Sequence, residues 1–269
     1  MNSIWLLEED IFRENLELLQ TEIIKQGYGY QTIKYLPFES GKYDNILTTD
    51  NCLIFYGSLG LGRMLVRYKK ANVNVFCTLE NYECTKYYAY FGEYLLNKNY
   101  IMLPLKELQR RKDFLFKTFS EDNCLFIRPS SGFKSFTGHI VKLEEYEETI
   151  KDLDGYYQVL PHAMIVVAEP QMIKEEYRLV VANSQIISGS RYKSDDFFVP
   201  DDVFIYAKKV LEIEYNPDPV WTLDICRTAE GLHVLEIGGF SCAGLYKCDL
   251  EPIVKEVSKI ALELQDISN

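Results

Sequence analysis

The stretch Phe126-Ile127-Arg128-Pro129-Ser130-Ser131-Gly132-Phe133-Lys134-Ser135-Phe136-Thr137-Gly138 reads as a strand ending in an arginine, a loop of small residues holding a lysine, and a turn back into a second strand. Small residues let backbone N–H groups approach an anion, and Arg128 and Lys134 set two positive charges beside them. The pattern is not the phosphate loop G-x-x-x-x-G-K-S/T, which runs into a helix. A surface hairpin with two solvated cations would read the same way, so the loop takes its meaning from what surrounds it.

Downstream, strands come in antiparallel pairs. Leu125 to Pro129 pairs with His139 to Lys142, and Tyr177 to Ala182 with Ile186 to Ser190 across the turn Asn183-Ser184. Val220 to Arg227 pairs with Leu232 to Ile237 across Thr228-Ala229-Glu230-Gly231. In this last pair Asp224 and Glu236 can sit on one face, each between apolar residues. Two such carboxylates repel unless a cation lies between them, and hard oxygens suit Mg²⁺; a half-exposed sheet is the competing reading. The apolar run Val166-Val167-Ala168 ends at Glu169-Pro170, followed by Glu175-Glu176-Tyr177-Arg178. Helices are expected from Pro200 to Leu211 and from Glu251 to about Leu264.

Upstream, the order is that of an α/β layer with a mostly parallel sheet. It comprises a buried strand at Ile4 to Leu7, a helix with Asp10 as N-cap and Gly27 as its end, and a strand from Tyr30 to Leu36. Then follow the strand Cys52 to Tyr56, a helix from Ser58 toward Lys70, the strand Val73 to Cys77 and a Tyr-rich helix near Asn81 to Asn97. The change in strand pattern divides the chain into 1–112 and 113–269, and the fold class is α/β to α+β. Gly57-Ser58-Leu59-Gly60-Leu61-Gly62 opens a helix after a strand but does not spell G-x-G-x-x-G; it reads as structural, or as one wall of a substrate cleft.

The 269 residues carry 29 Lys and Arg against 40 Asp and Glu, a net charge of −11, which disfavours nucleic acid as a partner. No apolar run reaches the ~18 residues that span a bilayer, and the N-terminus lacks the basic start of a secretory signal, so a cytoplasmic chain is expected. Seven irregularly spaced cysteines fit reduced thiols, and three histidines away from any Cys pair exclude a zinc finger. No Ser-His-Asp or Cys-His arrangement stands out, and Cys242 has no supporting histidine in sequence.

Taken in order, these clusters resemble the ATP-grasp superfamily, the fold of D-alanine:D-alanine ligase-type carboxylate-amine ligases. The chain is most similar to a bacterial and bacteriophage clade marked by a strand-end Arg. The resemblance covers roughly Asp113 to the C-terminus and implies an ATP-grasp domain preceded by an N-terminal α/β pre-ATP-grasp domain. It further implies an ATP-dependent ligase using ATP and Mg²⁺ on small-molecule or peptide carboxylate and amine substrates. In it Arg128 and Lys134 hold phosphate, Glu169 through Met172 form the adenine hinge, and Glu176 holds the ribose. Arg178, Arg191 and Lys193 face phosphates or substrate, and Asp224 and Glu236 bind metal. Lys112 and Lys117 are candidates for a further lysine of the family. The chain departs from the family's Glu-x-Asn at Glu236-Ile237-Gly238, so a second ion loses a ligand unless water or Ser241 replaces it. The departure also leaves open an ATP-binding module without turnover.

Overall fold

The computed structural model describes residues 3–35, 47, 51–67, 72–155, 159–192, 194 and 196–268. Its first sheet is parallel: β1 (Ser3–Glu8), β2 (Gly29–Ile33), β3 (Cys52–Tyr56) and β4 (Val73–Asn74) run in the order β2-β1-β3-β4. A parallel sheet covered on both faces is apolar on both, and alternation divides the side chains. Trp5, Leu7 and Ile54 enter a core with α1 (Arg13–Lys25) and the C-terminal helix; Leu6, Leu53 and Phe55 enter another with α2 (Leu59–Arg67). Gly27 ends α1 with φ +82°, as expected. Asp10 does not cap it: Phe12 takes the N-cap position at φ 54°, and Asp10 pairs with Arg13 instead. The start of α2 is no anion site, because the Glu8 carboxylate already accepts from the Ser58 N–H at 2.6 Å.

After α3 (Cys84–Phe91), a second, antiparallel sheet forms from β5 (Tyr100–Pro104), β6 (Cys124–Pro129), β7 (His139–Lys142) and β8 (Met164–Ala168), in the order β5-β8-β6-β7. Leu125, Ile127, Ile165 and Val167 point into a core closed by α4 (Leu105–Arg110), α5 (Lys112–Phe119) and α6 (Tyr146–Gly155). β5 and α4 precede residue 113 yet pack in this layer, so it begins earlier in the chain than the change in strand pattern suggests.

The third sheet is also antiparallel: β9 (Glu175–Ala182), β10 (Gln185–Arg191), β11 (Val220–Arg227) and β12 (Leu232–Gly239), in the order β10-β9-β11-β12. Asn183 and Ser184 both take left-handed φ, 45° and 62°, as a tight hairpin requires. Leu179, Val181, Leu223 and Ile225 face a core with α3 and α7 (Asp201–Leu211); Val180, Ala182 and Val220 face α8 (Leu250–Ser268). Ile253, Val254 and Val257 on α8 pack against this third sheet and against Trp5 and Ile54 of the first, and the Trp5 Nε1–H donates to Ser258 Oγ at 3.0 Å. No helix among the described residues is long and apolar enough to cross a membrane.

Because α8 shares one core with both sheets, the first and third sheets should unfold together. Trp5 and Trp221, the two tryptophans of the chain, report on one sheet each. Single-tryptophan variants (Trp5→Phe or Trp221→Phe) should give coincident fluorescence transitions in urea. Ile253→Ala should lower stability by roughly 2–5 kcal/mol with both probes. Transitions separated by more than the fitting error would show that α8 does not couple the sheets.

Candidate functional site

Three cations from separate elements converge on two carboxylates. Arg178 on β9 lies opposite Asp224 on β11, which lies opposite Glu236 on β12, so the strand register alone lines up the three on one face. Arg178 grips Asp224 with two bonds, Nε to Oδ1 at 2.8 Å and Nη2 to Oδ2 at 2.6 Å. From the second sheet, Arg128 Nη2 donates to Glu236 Oε2 at 3.0 Å, and Lys134 Nζ donates to Oε1 at 2.8 Å. The side chains of Arg128, Arg178 and Asp224 are each 12% exposed and Glu236 21%, so these pairs are largely removed from water.

Each of these positions has a local cause. On β6, alternation buries Leu125 and Ile127 in the helix-covered core and turns Arg128 the other way. Lys134 adopts φ 51°, an uncommon conformation for a residue with a side chain, and this aims its ammonium back at Glu236. The loop is docked on the N-terminal unit: the Cys84 N–H donates to the Ser130 carbonyl at 2.8 Å and the Thr85 N–H to Ser130 Oγ at 3.1 Å. Gly132 passes so close to the Leu79 carbonyl that a Cβ there would clash. Arg178 is fixed further by the Gly244 carbonyl, which accepts from Nη1 at 2.9 Å, and by the Tyr246 ring 4.9 Å below its guanidinium.

The electrostatics follow from this geometry. Burial alone would raise the Glu236 carboxyl, but the charges of Lys134 and then Arg128 hold it down at about 2. Burial likewise opposes the charge on Arg178, and Asp224 more than restores it. The Cys242 thiol is pushed well up, first by its contact with Cys77 and then by burial, which keeps it protonated and a poor nucleophile.

Two adjoining cavities open on the cluster. One, of about 270 Å³, is lined by Arg128, Lys134, Arg178, Thr222, Glu236 and Tyr246 among others. The other, of about 120 Å³, adds Glu176 and Tyr192. Six of the expected site residues, Arg128, Lys134, Glu176, Arg178, Asp224 and Glu236, line these two adjoining cavities, which share Arg178, Glu236 and Tyr246. Glu169 lies outside it, in a separate cavity of about 110 Å³ with Asn97, Gln171 and His233, and the Met172 side chain is 83% exposed. Lys193 lies outside the described residues.

Arg191 departs from expectation. Its guanidinium bonds Glu175 Oε1 at 2.8 Å, in a network with Arg227 and Asp202. The cause is a bulge between Ile186 and Ser188. In the plain register of the hairpin, with Ala182 opposite Gln185, Arg191 would stand opposite Glu176; the bulge sets it opposite Tyr177 and turns it to the other face, leaving Tyr192 in the site. Lys112 is also remote, pairing with Glu147 at 3.1 Å beside Tyr146, and Lys117 lines neither cavity. Ser241 is not free to replace a metal ligand, since it is fully buried and its Oγ accepts from the Phe76 N–H at 2.9 Å.

Gly238 has a steric explanation. It lies opposite Thr222, whose hydroxyl donates to the Gly238 carbonyl at 3.1 Å, and a Cβ at 238 would lie 2.9 Å from that hydroxyl. An asparagine there would displace Thr222. Among the described residues no cluster of three or more His, Cys, Asp or Glu could hold a metal by itself. Asp224 and Glu236 are nevertheless hard donors side by side, which fits Mg²⁺, an ion usually held by one or two carboxylates with phosphate oxygens and water completing its shell. Tyr246, Thr222 and the Gly244 carbonyl escape a sequence reading, because neutral groups in a loop or an apolar strand give no charge pattern to follow.

The comparisons bear on the family and the fold. A family model for the ATP-grasp domain, the third family of its clade, matches residues 98–257. No curated protein sequence matches the chain. Among solved structures, D-cycloserine synthetase DcsG is 10% identical with a TM-score of 0.63, covering 97% of this chain and 100% of its own. D-alanine–D-alanine ligase from Bacillus anthracis is 13% identical with a TM-score of 0.61, and both chains are covered in full. The ATP-grasp ligase PsnB, solved with its precursor peptide PsnA2 and AMPPNP, is 12% identical with a TM-score of 0.55 over 97% of each chain. At such identities these structures speak to the fold, whereas the family model spans more than half of the sequence: the chain belongs to the ATP-grasp family.

Proposed function

We propose that the protein is an ATP-dependent ligase that joins a carboxylate to an amine or thiol through an acylphosphate, releasing ADP and phosphate. The observation that carries this reading is the convergence of Arg128, Lys134 and Arg178 on a pair of carboxylates beside two adjoining cavities. Phosphoryl transfer is mostly positioning and charge neutralisation, so fixed cations in a site shielded from water supply its main terms.

In this reading a triphosphate takes Arg128 and Lys134 from Glu236, and Glu236, with Asp224 beside it, would hold a magnesium ion. Bound there, Mg²⁺ would neutralise charge on the transferred phosphoryl group. Arg178, braced by Gly244 and Tyr246, stays with Asp224 and presents its remaining edge to the cavity. Lys134 moves with its loop, and Glu176 in the smaller cavity is placed for a ribose hydroxyl. The Cys242 thiol, held protonated, leaves attack on the activated carboxylate to the second substrate. The steric need for Gly238 favours a single magnesium, and it also keeps a second reading in view, an ATP-binding module that does not turn over.

Calorimetry should show Mg-ATP binding that Arg128→Ala weakens about tenfold to a hundredfold, the scale of one hydrogen bond to a charged group. Asp224→Asn with Glu236→Gln should abolish the magnesium dependence. ADP release on addition of amino acids or peptides would support the ligase; nucleotide affinity with no ADP from any acceptor would favour the module without turnover; no binding at millimolar Mg-ATP would refute both.

A second expectation comes from Glu236. Its folded carboxyl titrates at about 2 against an ordinary value of 4.5, so the ion pairs stabilise the protein above about pH 4.5, and that contribution is lost as pH falls toward 2. Without nucleotide, the stability gap between wild type and Glu236→Gln should narrow over this range by up to about 3 kcal/mol. A gap independent of pH would show that the carboxylate is not held ionised by its neighbours.

A further inference from the structure

A cavity larger than either of those on the charge cluster opens beside them. This groove, of about 700 Å³, lies between α2, the segment 77–85 and the loop that carries Lys134. It shares the lining residues Cys77 and Ser131 with the charged cavity, so the two adjoin. One wall is α2, where Arg63 and Arg67 stand one helical turn apart with no carboxylate partner among the described residues. The other wall carries Glu80 and Glu83. Between them lie Val66, 62% exposed, and Leu160, 53% exposed, apolar side chains left open to water at the same groove. Arg63 lies over the Phe133 ring at 5.3 Å, on the same loop as Lys134 and next to it in sequence.

We propose that this groove binds a peptide. Its acidic side chains pair with Arg63 and Arg67, its amine side faces Glu80 and Glu83, and an apolar side chain covers Val66 and Leu160. Charge complementarity selects the occupant. In a chain of net charge −11, two arginines on one helix face with no carboxylate partner among the described residues suit an anion, while the carboxylates opposite them repel a polyanion such as nucleic acid. The mixed walls favour a ligand with charges of both signs spread over several residues, and the open, partly apolar groove is larger than a free amino acid needs. Because Arg63 stacks on Phe133, an occupant that draws Arg63 to its own carboxylate also alters what holds the Lys134 loop, linking the groove to the charged cavity. The proposal rests on the ligase reading only for the peptide's role as the substrate to be activated; the binding site itself does not depend on it.

The test uses the full-length protein and a fluorescein-labelled hexapeptide with two glutamates, a phenylalanine, two leucines and a lysine, against the same peptide with both glutamates changed to glutamine. Fluorescence anisotropy should show saturable binding of the acidic peptide, with at least tenfold weaker binding of the glutamine peptide. Arg63→Ala with Arg67→Ala should weaken the acidic peptide at least tenfold while leaving the urea midpoint unchanged, and Arg67→Ala alone should leave the Mg-ATP titration unchanged, since Arg67 does not line the charged cavity. The milder Arg67→Gln alone should give a smaller loss in the same direction. Equal binding of the two peptides, no binding at millimolar peptide, or unaltered binding by the double variant would overturn the proposal. Peptide binding without any Mg-ATP binding would keep the groove and remove the ligase reading; the converse would do the reverse.

Discussion

The structure is organised around an electrostatic constraint: Asp224 and Glu236 stand opposite each other on adjacent strands and cannot both remain charged and buried without cations. Arg178 satisfies one from within the same sheet; Arg128 and Lys134 satisfy the other from the second sheet. The internal ion pairs therefore do two things. They hold the second and third sheets together across a polar seam, and they keep an anion-binding site charged by lending its cations to its own carboxylates. In the proposed function, the entry of Mg-ATP would be an exchange of partners, in which phosphate takes cations and a carboxylate would hold the metal. Because most of these groups are already largely desolvated, little new burial of charge accompanies binding.

The rest of the fold supports that seam. On the site face of the third sheet the apolar residues Val180, Ala182 and Val220 are covered by α8, and beyond them the same face turns charged at Arg178, Asp224 and Glu236. The helix also packs on the parallel sheet, and the Phe76 N–H reaches Ser241 Oγ next to the end of β12. Asp218 completes the arrangement, accepting from the Thr78 N–H, the Thr78 hydroxyl and the Tyr82 hydroxyl at 2.9, 2.7 and 2.6 Å, and so fixes the segment that Gly132 packs against. The loop that carries Lys134 is thus seated on a surface built by three parts of the chain.

Much of this was legible in the sequence where the signal is local. Asn183-Ser184 between two apolar runs specifies a hairpin; the plain register of the turn after Arg227 would set Asp224 opposite Leu235, and a bulge between Asp224 and Ile225 sets it opposite Glu236 instead. The strand-end Arg128 and the loop lysine are charged residues in a small-residue context, which composition makes visible. What was hidden depends on a single added residue or on distant pairing. The bulge near Ile187 reverses the face of Arg191 and leaves no mark in composition; β5 joins the second sheet through β8, which lies far along the chain; and Asp10 loses the cap to a left-handed Phe12. Gly238 looks like a lost ligand in the sequence, whereas in three dimensions it is the residue that Thr222 leaves room for.

The most direct test of the exchange of partners is a crystal structure with Mg²⁺ and a non-hydrolysable ATP analogue. The account requires Arg128 and Lys134 to leave Glu236 for phosphate oxygens, Glu236 to face the metal, and Arg178 to keep its two bonds to Asp224. A complex in which Arg128 and Lys134 remain on Glu236, with the triphosphate elsewhere, would contradict it.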